Sequence, residues 1–206
     1  MTDDRIYIAT SNAGKLRDFA AAARVNSVEV LPLPGSAEMP AVTEDGATFE
    51  ANARKKSDHY SRLCPGYLVL ADDSGLEVRA LGGAPGVHSA RFAGGSRNAP
   101  DDANNQKLLD LLATANDRAA RFVAVIAAAV NGKTIATFRG EVEGSITRAA
   151  RGSHGFGYDP LFEIENTGKT MAELSATEKA AISHRGRAFR RFFEWYRVQP
   201  SGFAKL

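Results

Sequence analysis

Residues 121–147 read RFVAVIAAAVNGKTIATFRGEVEGSIT. Two long runs rich in β-branched, apolar and aromatic residues flank Asn131-Gly132, a pair suited to a two-residue hairpin turn whose central positions need positive φ. The stretch predicts two long strands joined as a hairpin. Outward from it the pattern changes. RIYIAT, residues 5–10, predicts a short strand, SNAG a turn, and KLRDFAAAAR the start of a helix. VEVLPL at 28–33 predicts a second strand, GSAEMPAVTEDG a loop, and ATFEANARKKSDHYSRL at 47–63 a helix. YLVLADDSG predicts a buried strand ending in polar residues, with LEVRAL after it. Residues 82–100 are rich in Gly and Pro and predict irregular chain; DDANNQKLLDLLATA predicts a helix with Asp near its N-cap. RGSHGFGYDP predicts a glycine-rich loop, PLFEI a short strand, and EKAAISHRGRAFRRFFEWYR one terminal helix. Strands alternating with helices, with a hairpin inserted, predict a mixed α/β fold.

The 206 residues are 44% hydrophobic and 24% charged, enough to bury a core as one domain of up to two lobes. No apolar run reaches the ~18 residues of a membrane span, and the start MTDDRIYIAT is acidic where a secretory leader is basic. The expected location is the cytoplasm, with no membrane partner. The single Cys64 cannot form an internal disulfide and is read as a small, partly buried hydrophobe. A net charge of +2 does not point to a nucleic-acid polymer, but leaves room for a small polyanion in a local basic pocket.

Four stretches could carry chemistry. Ser11–Lys15, SNAGK, lies between a strand and a helix, where free N–H groups and Lys15 could cradle phosphate; the alternative is that Asn12 and Gly14 only shape a turn. Glu44, Asp72 and Asp73 offer oxygens to a hard cation such as Mg²⁺, which takes one or two carboxylates plus phosphate and water; otherwise Asp72 caps a turn and Asp73 is solvated. In SHGFGYDP, residues 153–160, glycines around Phe156 would let a flat ligand approach for stacking while Asp159 accepts a hydrogen bond, or Phe156 and Tyr158 are core. In EKAAISHRG, residues 178–186, Lys179 and Ser183 can share a helix face with His184 and Arg185 at its edge, unless this is a solvated charged face. Lys55, Lys56, His88 and Arg91 are further candidates, the last two in a loop that could close over a site.

These pieces, in this order, resemble the Ham1/inosine triphosphatase family. TSNAGK, EDGATFEANARKK, LADDSGLEVRALGGAPGVHSARFAG, GFGYDPLF and ELSATEKAAISHRGRA are similar to its signatures, from about residue 6 to residue 190. The resemblance implies Mg²⁺-dependent hydrolysis of dITP, ITP or XTP between the α and β phosphates, by an elongated α/β fold with two lobes around a central cleft, usually in a homodimer. It implies that Thr10, Ser11, Asn12, Lys15 and Lys56 meet the triphosphate. Glu44 and Asp73 would serve the metal, Asp73 as proton acceptor, with Asp72 a metal-water partner. Ser74, Phe156, Gly157, Tyr158, Asp159, Lys179, His184 and Arg185 would contact the substrate, Phe156 by stacking on the purine. His154, where the glycine-rich loop often carries another Gly, and the variable-looking GGSRNAPDDANN depart from the family pattern and bear on loop motion and fine substrate preference.

The chemistry suits these roles. A triphosphate must be neutralised by lysines and a cation before water can approach the α-phosphorus. Donors from Arg185, His184 or backbone N–H would accept the 6-oxo group of hypoxanthine or xanthine and oppose the 6-amino group of adenine. Guanine shares the 6-oxo group, so its rejection must come from its 2-amino group.

Overall fold

The computed structural model describes residues 6–26, 28–36, 38–95 and 98–199; Arg5 of the first predicted strand and Ala37, Ser96 and Arg97 of the predicted loops lie outside these. The order along the chain is β1 (Ile6–Ile8), α1 (Ala13–Val25), β2 (Val30–Pro32), α2 (Phe49–Leu63), β3 (Val69–Val78), α3 (Asp101–Leu111), β4 (Ala119–Val130), β5 (Lys133–Ile146), β6 (Phe162–Ile164), α4 (Ala176–Ile182) and α5 (His184–Tyr196). Short 3₁₀ segments occupy Arg79–Leu81, Gly86–Arg91 and Met171–Glu173. One mixed sheet has the strand order β2-β1-β3-β4-β5-β6. The β1 strand pairs in parallel with β2 and β3, while β3, β4, β5 and β6 pair antiparallel in succession.

The hairpin forms where the sequence places it. Asn131 and Gly132 have φ of 52° and 82°, the two positive values that a tight turn between twisted strands requires. The predicted break after LADDSG does not occur. Instead β3 runs unbroken from Val69 to Val78, because β4 offers a partner at every step from Val69↔Ala129 to Val78↔Ala120. The single predicted terminal helix is divided. Ser183 is extended (φ −67°, ψ 161°), ending α4, and its hydroxyl accepts a hydrogen bond from Gly186 N at 3.1 Å as the N-cap of α5. A helix-period sequence thus bends at a serine that satisfies the new helix's free N–H.

Alternation along the strands sends side chains to two faces. On one face, Ile6, Ile8, Leu70, Ala124 and Ile126 pack with Phe19 of α1 and Phe189 and Phe192 of α5. These three phenylalanines are fully buried, and each contributes about 1.5–3 kcal/mol through burial. On the other face α2 covers the sheet: Tyr60 packs near Val69 and Ala71, and Phe49 and Ala53 near Val123 and Val125. Further along β3, Leu76 and Val78 join a separate cluster with Leu108, Phe122, Tyr158, Leu161 and Phe162. Between Ala71 and Leu76, where one set of clusters gives way to the other, lie Asp72, Asp73, Ser74 and Gly75. No helix among the described residues is long and apolar enough to cross a membrane.

Candidate functional site

Because β3 continues through them, the adjacent aspartates point to opposite faces of the sheet. Asp73 faces α2. Its Oδ2 accepts from Asn52 Nδ2 at 3.0 Å, and Lys56 Nζ lies 3.5 Å from its Oδ1 while donating to Glu44 Oε2 at 2.8 Å. Asn52 also accepts from Gly46 N at 2.8 Å, and Arg91 Nη2 donates to the Glu44 carbonyl at 3.1 Å, so both flank the loop that carries Glu44. Burial pushes the Asp73 carboxyl above its usual pKa, with Lys56 opposing. Burial acts on Glu44 in the same direction, but the Lys56 ammonium overrides it and holds that carboxyl below the usual range.

Asp72 faces α1 and α5. Arg185 donates to its Oδ2 from Nε at 3.2 Å and Nη2 at 3.1 Å. Lys15 Nζ lies 3.1 Å from Oδ1 as an ion pair. Burial alone would raise the Asp72 carboxyl, but Lys15 and Arg185 outweigh it and hold it far below the carboxylate range. Asp72, expected as a metal-water partner, has two cations, Lys15 and Arg185, as its charged neighbours. Arg185 also donates to Asp18 Oδ2 and to Ser74 Oγ, each at 2.7 Å, so four of its five N–H groups are engaged.

The strand–helix junction supports the turn-shaping role of Asn12. Its Oδ1 caps α1 by accepting from Lys15 N at 3.0 Å, and its own N–H donates to Thr10 Oγ1 at 3.2 Å. Ser11 is exposed beside them. The Phe156 ring lies against the first turn of α1. A Cβ on Gly14 would sit 2.5 Å from Phe156 Cδ1, so only glycine allows this approach. Lys179 Nζ is 4.9 Å and Arg185 Cζ 5.7 Å from the ring centroid. Asp159 Oδ2 accepts from Phe156 N at 2.9 Å and from Lys179 Nζ at 2.7 Å, which fixes the loop's curvature. Burial raises the Asp159 carboxyl against the pull of Lys179. Gly157 N donates to Asp101 Oδ2 at 2.6 Å, tying the loop to α3. Tyr158 is core, as its alternative assignment had it, and donates from its hydroxyl to Ser89 O at 2.8 Å. His184 stacks on Phe122 with ring centroids 4.8 Å apart. Burial, then Arg185 and Lys179, push its imidazole well below the usual pKa, so it is neutral, with one ring nitrogen able to donate and the other to accept; its buried Nδ1 has no hydrogen-bond partner among the described residues.

The residues that the resemblance assigns to metal, phosphate and base contact line one cavity of about 310 Å³, within the range of small-molecule sites, whereas Lys55, paired with Asp45 at 2.6 Å, and His88 are not in its lining. Arg91, a further candidate from the sequence, lines it too, as do Asn98, Asp101 and Phe122, which sequence reasoning did not assign. Behind the cavity, Asp18 lies 3.2 Å from Lys179 Nζ and 2.7 Å from Arg185 Nη1. Its place on α1, one turn beyond Lys15, was the signal that could have found it. Asn52, one turn before Lys56 on α2, could have been found the same way. Among the described residues no three His, Cys, Asp or Glu side chains converge as a preformed metal cage. Two carboxylates, Glu44 and Asp73, are nonetheless the protein share that Mg²⁺ takes when phosphate oxygens and water complete its shell.

The Ham1 family model matches residues 6–195. The chain belongs to the Ham1 family. This Ham1 chain is 53% identical over 191 residues to an Acidobacterium capsulatum protein named dITP/XTP pyrophosphatase, covering 90% of this chain and 94% of that one. The solved Ham1 protein of Staphylococcus aureus superposes with a TM-score of 0.80 at 40% identity, over 94% of this chain and 98% of that one. The Mycobacterium abscessus structure described as a nucleoside-triphosphatase and dITP/XTP pyrophosphatase gives 0.71 at 39% identity, over 91% and 98%.

Proposed function

We propose that this chain, as one domain, hydrolyses dITP, ITP and XTP to the nucleoside monophosphate and pyrophosphate. The observation that carries this reading is the polarity of the one cavity. Glu44, Asp73 and Lys56 form one linked group in its lining; Phe156, with Lys179 and Arg185 over its ring, forms another, and His184 lines the cavity too. The names of the relatives at 53% and 39% identity supply the substrate class.

Lys15 and Lys56 hold the triphosphate, and Asp73 takes a proton from water. The water oxygen bonds to the α-phosphorus, and the bond from that phosphorus to the α–β bridging oxygen breaks with its electron pair staying on pyrophosphate. Mg²⁺ bound through Glu44 and Asp73 would neutralise phosphate charge as it develops. Asp72 holds Lys15 and Arg185 in place from the other face of the sheet rather than binding metal. Phe156 stacks on the purine; neutral His184, the remaining N–H of Arg185 and the Ser74 hydroxyl are the donors available to base and sugar. A base with a 6-oxo group satisfies such donors, while the 6-amino group of adenine leaves donor facing donor.

The same reading makes the protein a cytoplasmic homodimer acting on free nucleotides, without nucleic-acid or membrane partners; light scattering on the purified protein tests the dimer. Phosphorus NMR of dITP turnover, with Mg²⁺ and with chelator, tests the reaction itself. Monophosphate and pyrophosphate in the Mg²⁺ sample alone is the expected result; diphosphate and orthophosphate would refute α–β cleavage.

A further inference from the structure

Five cationic side chains line the cavity: Lys15, Lys56, Arg91, Lys179 and Arg185. Four are neutralised from within the protein. Lys15 pairs with Asp72 at 3.1 Å, Lys56 with Glu44 at 2.8 Å, Lys179 with Asp159 at 2.7 Å, and Arg185 with Asp18 at 2.7 Å. Among the described residues, Arg91 alone of the five pairs with no carboxylate. A cavity built for a polyanion, with its other cations already compensated, has its free positive charge at this residue.

Arg91 is also held in position. Its Nε donates to His88 Nδ1 at 3.2 Å and its Nη2 to the Glu44 carbonyl at 3.1 Å, which engages two of its five N–H groups. The 3₁₀ segment that it ends is fastened to β3: the buried Ser89 hydroxyl accepts from Leu76 N at 2.9 Å and donates to Gly86 O at 2.7 Å. From the far cluster Tyr158 donates to Ser89 O. A pinned, planar guanidinium with spare N–H groups suits two oxygens of one phosphate.

We propose that Arg91 binds the terminal phosphates of the substrate and stabilises pyrophosphate as it leaves, so that it sets the preference for a triphosphate over a diphosphate. The assignment rests on the proposed function for which atoms depart. Its contact with the Glu44 backbone puts it beside the loop whose carboxylate would meet metal and phosphate. The negative charge left on the bridging oxygen when the α–β bond breaks resides on pyrophosphate, and among the described residues lining the cavity Arg91 is the cation whose charge no carboxylate cancels.

The test uses the full-length protein, with Arg91→Ala and Arg91→Lys checked by thermal melting for an intact fold. Isothermal titration of the metal-free proteins with inorganic pyrophosphate and with dIMP reads binding apart from turnover. Arg91→Ala is expected to weaken pyrophosphate binding at least tenfold while dIMP affinity stays within twofold, with Arg91→Lys between. The ratio of kcat/KM for dITP to that for dIDP is expected to fall at least tenfold in Arg91→Ala. Pyrophosphate affinity within twofold of the parent, or no pyrophosphate binding by the parent, would overturn the assignment. So would equal losses on dITP and dIDP, which would make Arg91 only a brace for the Glu44 loop. A parent protein that binds pyrophosphate through Arg91 yet hydrolyses no dITP would instead sink the proposed function and leave the phosphate contact standing.

Discussion

Replacing Asp72 by Asn tests whether the carboxylate facing α1 and α5 is a structural counter-charge. The side chain keeps its size and one oxygen, but the charge that balances Lys15 and Arg185 is lost. Arg185, with a side chain 2% exposed, would then share only Asp18 with Lys179, and Lys15, 16% exposed, would have no carboxylate within pairing distance. Breaking a buried ion pair by neutralising one partner costs roughly 3–5 kcal/mol. For a chain of this size that corresponds to a fall in Tm of about 6–20 °C. Lys15, whose pKa burial already lowers, can shed its proton and absorb part of the cost, so the lower half of the range is expected. Circular dichroism melts at neutral pH, paired with urea unfolding, read the effect. A fall of less than about 2 °C, no more than the change for about 1 kcal/mol, would refute the counter-charge assignment.

Asp73→Asn should do the reverse: burial disfavours the Asp73 carboxylate, so stability is expected to hold or rise in the same urea assay while turnover of dITP falls by about 10²–10⁴-fold, the usual worth of a general base. Normal pyrophosphate release by that variant would remove Asp73 from the role of base. Phe156→Ala should weaken substrate binding by about 1–3 kcal/mol, the worth of one base–aromatic stack, measured as the Kd of a non-hydrolysable dITP analogue; unchanged affinity would make Phe156 a cover for Gly14 only. Acid should erase the Asp72 contribution. The folded-state pKa of Asp72 is depressed, so its stabilisation is complete above the unfolded value of about 3.9 and is lost as pH falls below it. The gap in Tm between the parent and Asp72→Asn is therefore expected to shrink from pH 7 to pH 3; a gap that widens would reverse the sign of the proposed linkage.

The hairpin at Asn131-Gly132 was legible because its turn chemistry is local. The alternation of strands and helices was legible for the same reason. Reading LADDSG as a strand end was not safe, because two acidic residues favour a strand's end unless each face supplies a cation, and Lys15, Lys56 and Arg185 come from three other elements. With the strand continuous, a period of two separates Asp72 from Asp73 at once. The division of the terminal helix at Ser183 lay in the spacing Ser183–Gly186, a cap that a helix-period pattern of apolar residues masks. Asp18 and Asn52 lay one helical turn from Lys15 and Lys56 and were within reach of that spacing. The contact of Arg91 with the Glu44 backbone was not, since it joins residues 47 apart along the chain through a 3₁₀ segment fastened by Ser89.

The central claim, that one cavity selects a 6-oxo purine without a 2-amino group and releases pyrophosphate from it, is most directly tested by kcat/KM for pyrophosphate release from dITP, XTP, dATP, dGTP and dTTP under one Mg²⁺ concentration. The account predicts fast release from dITP and XTP, with dATP, dGTP and dTTP slower by at least a hundredfold. Comparable rates for dITP and dATP would contradict it.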